Sequence, residues 1–413
     1  MDFAELNYDL SEDDKALKKA AHKFAEEVIR PIAKEMDTMT AEQAISDDSP
    51  VWKFLRKGYE LGYHKTGIPK QFGGLELNNL QQWIVGEELI WGSAGLAVLI
   101  SVAPMPFAPI CAIGGETLVE AFVKPFVECN DGSIRGCWAI TEPDHGSDTL
   151  IPGYPSFRDP KVTAQCLAHL DGDELVINGQ KSAWISGAPT ATHTILMCQT
   201  DTSMGHAGGV IAVVPLDLPG VSKGKPIEKL GQRDLCQGQI FFDNVRIPKS
   251  YVLIDKELYE AALDGWLSGT TAGMCCLGTG IARAAFEETL TYAKERVQGG
   301  KRLIEYPNIK MKLFDMFTKI EAARQLGRAA YIRNSGSEQP MLEYSLAAKN
   351  FGTQTAFEVT HEAIQVFGGN GLTKEYLIEK LFRDARATLI EDGSNETLAI
   401  AGGHRIIETY PRA

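Results

Sequence analysis

The chain has 413 residues, which at about 150 residues per domain allows two or three domains. Hydrophobic residues make up 44% and charged residues 23%, a balance that excludes a disordered or fibrous chain. Lys and Arg number 41 against 54 Asp and Glu, a formal net charge of −13, which speaks against nucleic acid or an anionic membrane surface as partner.

The eight cysteines form no framework: Cys111, Cys129, Cys137, Cys166, Cys198 and Cys236 are scattered, and Cys275 and Cys276 are adjacent. Free thiols in a reducing, cytoplasmic setting are expected. The histidines show no metal-ligating spacing, so no metal is expected. The acidic start Met1-Asp2-Phe3-Ala4-Glu5 does not resemble a secretory leader. The apolar run from Gly95 to Pro109 contains three prolines, so it does not read as a membrane span.

From Leu10 onward Leu17, Ala20, Ala21, Phe24 and Val28 recur at steps of three and four, predicting an amphipathic helix. Ser11 followed by Asp14 fits a helix start, and Pro31 is expected to interrupt it. Further helices are predicted around Trp52–Leu61, Leu80–Ile90 and Glu116–Val127. Between Gly136 and Pro248 the texture changes to short β-type runs bounded by turn signals such as Asp171-Gly172 and Asn178-Gly179. Strands are predicted at Glu174–Ile177, Thr194–Cys198, Val210–Val214 and Gln239–Phe242. No helical pattern separates them, which predicts an antiparallel β-domain rather than βαβ units. Beyond Ser250 helices return at Leu277–Glu295, Met311–Tyr331 and Met341–Phe367. The fold class expected is mainly α with a central β-domain, divided into residues 1–135, 136–249 and 250–413.

Gly278-Thr279-Gly280 sits in a helical context without a preceding strand, so small residues letting two helices approach is a better account than a dinucleotide loop. The segment Thr141-Glu142-Pro143-Asp144-His145-Gly146-Ser147-Asp148 makes a tight loop whose amides and hydroxyls can converge on one ligand, or an ordinary capped turn. Trp184-Ile185-Ser186 ends a strand with a flat ring and a hydroxyl. Arg296 with Gly299-Gly300-Lys301-Arg302 offers cations on a flexible backbone, suited to phosphate or to solvent. Gln365 to Gly371 is a second glycine-rich break, and Glu391-Asp392-Gly393-Ser394 would set a carboxylate beside an apolar surface.

Taken in order, these motifs resemble the acyl-CoA dehydrogenase flavoprotein family over nearly the whole chain. Thr141-Glu142-Pro143 with Gly146-Ser147-Asp148 is similar to that family's first signature, and Asn178-Gly179-Gln180-Lys181 leading to Trp184-Ile185-Ser186 to its flavin-facing strand. Gly231-Gln232-Arg233, Phe242 to Pro248, Tyr292 to Arg296 with Gly300-Lys301, and Gln365 to Gly371 complete the resemblance.

The resemblance implies an N-terminal helical domain, a β-barrel or sandwich and a C-terminal four-helix bundle, with FAD as cofactor and a homotetramer or homodimer as assembly. It implies flavin contacts from Trp138, Ile140, Thr141, Trp184, Ser186, Ser394 and Glu396. Arg296, Gln365, Gly368 and Gly369 are implied to reach the flavin of a neighbouring subunit. Ser147 is implied at the cofactor and the CoA pantetheine, and Gly393 beside the substrate. Two positions depart from the family pattern: Gly299 replaces an aromatic residue, and Glu396 stands where Gln is common.

The implied reaction is α,β-dehydrogenation of an acyl-CoA thioester, with electron-transferring flavoprotein as oxidant. The usual base is Glu before Gly, and that position here is Asp392, with Glu391 as the rival if the register slips by one. The other family location for the base falls in Leu267–Thr271, which holds no acid. A base shorter by one methylene leaves room at Cα, so a branched or alicyclic acyl group such as cyclohexanecarboxyl-CoA is expected. Alternatives of the same fold are an enoyl-CoA reductase or desulfinase, and a flavin oxidase of the nitroalkane oxidase type. Residues 149–160 form a longer connection than usual for the family, in which Arg158 is a candidate contact for a CoA phosphate. Thr271 stands where straight-chain members often carry a CoA-binding Arg.

Overall fold

A computed structural model describes residues 3–6 and 9–410; Met1 and Asp2, part of the acidic start read above, lie outside it. The first block is helical. Helix α1 (Glu12–Phe24) starts as its sequence requires: the Ser11 hydroxyl accepts from the Asp14 amide at 3.1 Å, and Asp14 accepts from the Ser11 amide at 3.1 Å. Pro31 does not interrupt it. A single π-turn, Ala25–Ile29, hands the chain to α2 (Arg30–Met36), in whose first turn a proline needs no hydrogen-bond partner. Helices α3 (Val51–Glu60), α4 (Asn79–Gly92) and α5 (Ala94–Val102) follow. The prolines after α5 then break the chain into α6 (Ile110–Ile113), α7 (Glu116–Leu118) and α8 (Lys124–Glu128).

The second block is one sheet of eight strands. β1 (Gly136–Ala139), β2 (Leu167–Asp171), β3 (Glu174–Ser186), β4 (His193–Gln199), β5 (Gly209–Pro215), β6 (Val221–Lys223), β7 (Gln237–Pro248) and β8 (Val252–Ile254) run in the order β6-β7-β3-β2-β4-β5-β8. β1 lies parallel to β4, with Trp138 opposite Ile195. The long pair β3–β7 runs antiparallel from Glu174 opposite Pro248 to Ser186 opposite Gln237. Cys137, Ile177, Leu196, Ala212, Val214, Ile240 and Phe242 fill the interior. The sheet extends past residue 249, since β8 pairs with β5.

The third block begins with α9 (Lys256–Glu295), a helix of 40 residues. Its first half is missing from the periodicity reading. Ser268-Gly269-Thr270-Thr271 has poor helix propensity, and burial of Leu263, Leu267, Ser268 and Thr271 overrides it. A short hairpin, β9 (Val297–Gln298) and β10 (Lys301–Arg302), turns through Gly299 and Gly300 at φ +61° and +85°. Helices α10 (Pro307–Asn334), α11 (Leu342–Phe367), α12 (Ile378–Thr388) and α13 (Asn395–Thr409) complete the chain. No helix among the described residues is long and apolar enough to cross a membrane. The architecture is therefore a helical block, a β-domain and a helical bundle.

Candidate active site

The turn between α12 and α13 carries Glu391, Asp392, Gly393 and Ser394. Asp392 and Gly393 both adopt left-handed backbone, φ +51° and +98°, a conformation that costs an L-residue about 1 kcal/mol or more and persists where surroundings enforce it. Two other non-glycine residues with positive φ border site positions: Ala183 at +27°, beside Trp184, and Gln232 at +48°. Burial pushes the Asp392 carboxyl above its ordinary value, and the nearby Lys349 ammonium opposes it. Glu391 is pushed up to about 7, by burial and then by the Asp392 charge, against the Gln232, Lys229 and Lys349 groups. The Glu391 carboxylate accepts from Gln232 Nε2 at 2.7 Å. It is therefore tethered to the loop before β7, whereas no hydrogen bond ties the Asp392 carboxyl to another described residue.

The first signature is held by a buried ion pair. Lys181 Nζ donates to Glu142 Oε1 at 2.6 Å and to the Ile140 carbonyl at 3.0 Å. Glu142 also accepts from the amides of Gln165 and Cys166, and the Ser182 amide donates to the Thr141 carbonyl at 2.8 Å. Trp138 follows on β1, its indole N–H 2.9 Å from Met197 Sδ and its ring tilted against Trp266 at 6.0 Å. Further along, the Ser147 hydroxyl accepts from the Ser394 amide at 2.9 Å. One hydrogen bond thus joins the first signature to the turn bearing Asp392, across 247 residues of sequence.

Next to Ser147, Asp148 Oδ2 accepts from His145 Nδ1 at 2.7 Å and from His206 Nε2 at 3.1 Å. Burial would raise the Asp148 carboxyl, yet the hydrogen bonds from His206 and His145 hold it well below the usual carboxylate range. The three side chains come close enough to share an ion, but they satisfy one another at hydrogen-bond lengths. No spacing in the sequence marks this cluster, because His206 arrives from the turn between β4 and β5.

Trp184 stands 55% exposed near the end of β3. Two residues on, Ser186 Oγ accepts from Gln237 Nε2 at 3.2 Å, and the same amide donates to the Trp184 carbonyl at 3.2 Å. Arg296, Gln365, Gly368 and Gly369 are all exposed and lie together through Tyr292. The Tyr292 ring stacks on Phe367 at 4.0 Å, and its hydroxyl accepts from Asn370 Nδ2 at 2.9 Å. No hydrogen bond joins this group to Ser147, Trp184 or Ser186 among the described residues. Glu396 is exposed in the first turn of α13, while Ser394 caps that helix, accepting from the Thr397 amide at 3.3 Å. Arg158 pairs with Glu260 at 2.7 Å while its own side chain stays exposed. The Gly153 amide and the Pro152 carbonyl also bond Glu260 and Arg405, so the 149–160 connection is strapped to α9 and α13.

Two positions that contact the candidate base turn escaped the sequence reading. Gln232 belongs to a motif already singled out, but its contact with Glu391 depends on Gly231 lying against the Arg383 carbonyl of α12. Lys349 is fully buried on α11, and its Nζ donates to the Gly393 carbonyl at 2.6 Å and to Asn395 Oδ1 at 2.7 Å. A signal existed: Leu342, Ser345, Leu346, Lys349, Gly352 and Thr353 share one buried helix face, and a lysine there is out of pattern.

Comparison with known proteins shows what this arrangement is similar to. Three family models match the chain in order: the acyl-CoA dehydrogenase N-terminal domain over residues 11–129, the middle domain over 137–245 and the C-terminal domain over 261–407. The mitochondrial short-chain specific acyl-CoA dehydrogenase of Bos taurus is 31% identical over 405 residues, 97% of this chain and 92% of that protein. A 3-(aryl)acrylate reductase of Clostridium sporogenes is 31% identical over 388 residues, 94% of this chain and 96% of that protein. Among solved structures, butyryl-CoA dehydrogenase from Megasphaera elsdenii superposes with a TM-score of 0.85 at 29% identity, covering 97% of this chain and 100% of that chain.

Proposed function

The chain belongs to the acyl-CoA dehydrogenase family, and we propose that, as an oxidoreductase acting on acyl-CoA, it removes hydrogen from the α and β carbons of a short, branched or alicyclic acyl group with Asp392 as base. Joining of the first signature to the base turn by the hydrogen bond from the Ser394 amide to Ser147 is the observation that carries this reading. It fastens a hydroxyl-rich loop to the turn whose carboxylate is raised above its ordinary value.

Members of this family are FAD flavoproteins, and the residues present fit that cofactor. An exposed indole, Trp184, lies beside the Ser186 hydroxyl, a pairing suited to a flat polar ring. Gly368 and Gly369 leave open space where a Cβ would stand, and Arg296 makes no ion pair among the described residues, so both suit the dinucleotide end. Those exposed groups are assigned to a partner copy's cofactor in a homodimer or homotetramer. When bound, the flavin supplies the two-electron acceptor for the β-hydrogen.

This chain's own residues handle the proton. The Asp392 carboxylate takes the α-proton: the C–H bond breaks, an O–H bond forms on Asp392, and the electron pair moves toward the thioester oxygen. The Asp392 amide, which meets no acceptor among the described residues, donates to that oxygen as charge develops. Holding base and thioester at fixed distance replaces a collision. A carboxyl raised by burial is a stronger base than an ordinary Asp once ionised. The shorter side chain leaves space at Cα. An apolar cavity of about 160 Å³ lined by Pro109, Ile113, Ile211 and Trp266 adjoins the Trp138 side of the sheet and offers room for a ring. Electron-transferring flavoprotein is the proposed oxidant, and eight free cysteines fit a reducing, cytoplasmic setting.

The test is anaerobic reduction of the bound flavin across a panel of acyl-CoA thioesters. Cyclohexanecarboxyl-CoA or 2-methyl-branched substrates are expected to react faster than straight C8–C16 chains, and the reverse order would overturn the substrate assignment. Asp392→Asn is expected to retain FAD and lose α-proton exchange on the order of a thousandfold. Unchanged exchange would transfer the role to another residue, Glu391 first.

The similarity to a 3-(aryl)acrylate reductase favours a second reading, operation toward the saturated product. It predicts that chemically reduced enzyme is reoxidised by a 2-enoyl-CoA faster than an acyl-CoA bleaches the oxidised form. An oxidase of the nitroalkane type would add an arginine further along the helix after the base, and the first one there, Arg405, is committed to Asp264 and the Pro152 carbonyl.

A further inference from the structure

Beneath the turn that carries the proposed base, a polar stripe runs along the otherwise apolar face of α11. Ser345, Lys349 and Thr353 follow one another at intervals of four residues, one above the other. Ser345 Oγ donates to the Ser268 carbonyl of α9 at 2.6 Å and accepts from Asn334 Nδ2 at 2.7 Å. Thr353 Oγ1 lies 3.1 Å from Asn395 Nδ2, and the neighbouring Asn350 amide donates to the Asn395 carbonyl at 2.9 Å. Between them Lys349, with no exposed surface, donates to the Gly393 carbonyl and Asn395 Oδ1. One acceptor belongs to the left-handed turn at Asp392 and Gly393, and the other lies two residues beyond it. The Lys349 contacts and the Thr353–Asn395 contact fall on the segment just after the base, and none on the base itself.

We propose that Lys349 is a positioning residue for the dehydrogenation: its ammonium clamps the Gly393–Asn395 turn from below and sets the protonation of the Asp392 base through its charge. The inference rests on the reading of Asp392 as base. A structural role alone would need only hydrogen-bond donors, which a glutamine supplies. Lysine adds a full charge in a site walled off from water, where electrostatic effects are large.

The groups facing one another here are few. Glu391 and Asp392 on the turn and Glu396 on α13 act on Lys349 from one side, and Lys229 from the β-domain acts on Glu391 from another. Burial draws Lys349 down to about 8, so it carries its charge at neutral pH and loses it in mildly alkaline solution. Its charge favours ionised Asp392. Removing it leaves burial unopposed, and the base then ionises only at higher pH.

The experiment measures α-proton exchange from acyl-CoA into heavy water against pH, which reads the base without needing hydride transfer, on FAD-loaded protein. Lys349→Gln keeps a donor and removes the charge: the profile is expected to move upward by about one pH unit, with exchange at pH 7 falling about tenfold and the alkaline plateau retained. Lys349→Met removes donor and charge, and should lower the plateau as well. Asn395→Ala takes away one acceptor but leaves the charge, so it should lower the plateau about threefold with the profile in place.

A Lys349→Gln profile that coincides with the parent's overturns the proposal, as does an Asn395→Ala profile displaced equally far. If Lys349→Met fails to fold, the glutamine and Asn395→Ala proteins still decide the matter. Absence of exchange in the parent protein with every thioester would instead overturn the assignment of Asp392, a result distinct from an unmoved variant profile.

Discussion

Glu391 and Asp392 are adjacent acids with different surroundings, and the difference separates their roles. Glu391 is tied to Gln232 and is pushed up to about 7; Asp392 has no such tether and faces Lys349. The displaced Glu391 has a consequence for stability. Between its ordinary value of 4.5 and about 7, the folded protein keeps a proton that the unfolded chain has released, so stability falls as pH rises through that window. Glu391→Gln removes the titration. It is expected to be more stable than the parent by about 1 to 3 kcal/mol at pH 8 and indistinguishable at pH 4.5, measured as denaturant midpoints. The candidate base was legible as a residue because Glu-Asp-Gly-Ser follows an apolar pair. Its neighbour's tether and its own counter-charge were not, because Gln232 reaches Glu391 from 159 residues away and Lys349 lies on a different helix.

Among the elements, α9 and α11 show what small residues accomplish. A Cβ on Gly278 would strike the Gly352 carbonyl, and one on Gly352 would strike Cys275. The close approach of these helices therefore depends on the run read above as a packing device. Gly278→Val should cost about 3 kcal/mol or more, because the obstacle is backbone and cannot swing aside; a lowered denaturant midpoint at unchanged slope is the measurement. Periodicity located the helices whose apolar stripes are regular, α10 and α11. It failed on the first half of α9 and at Pro31, where burial and a π-turn respectively decide the outcome. The strand order of the sheet was equally beyond reach, since β1 pairs with β4 rather than with a sequence neighbour.

At the scale of the whole molecule, charge is concentrated inside as well as outside. Arg283 bonds Glu87 and Glu88 of α4, while Arg324 and Arg328 of α10 meet Glu5, joining the N-terminal segment and first block to the bundle through buried ion pairs. Such pairs specify a docking arrangement more than they stabilise it. The outer face of α10 is different in kind: Met311 is 73% and Phe314 72% exposed, unusual for apolar side chains on a free surface. If the proposed homodimer or homotetramer forms, this face is the expected contact between copies. The double substitution Met311→Glu, Phe314→Glu is expected to lower the sedimentation coefficient and weaken FAD retention together. An unchanged coefficient would place the assembly contact elsewhere.

Three-block order, family resemblance and the identity of the shortened acid were readable from the order of residues, because hydropathy period, turn residues and motif spacing are local properties. How that acid is served depends on packing in three dimensions. Ser147 fastens its turn from 247 residues upstream, Lys349 supports it from within a helix, and Gln232 restrains its neighbour. These are contacts between elements distant along the chain, and their direction is set by packing and by backbone forced into left-handed geometry, neither of which the order of residues displays.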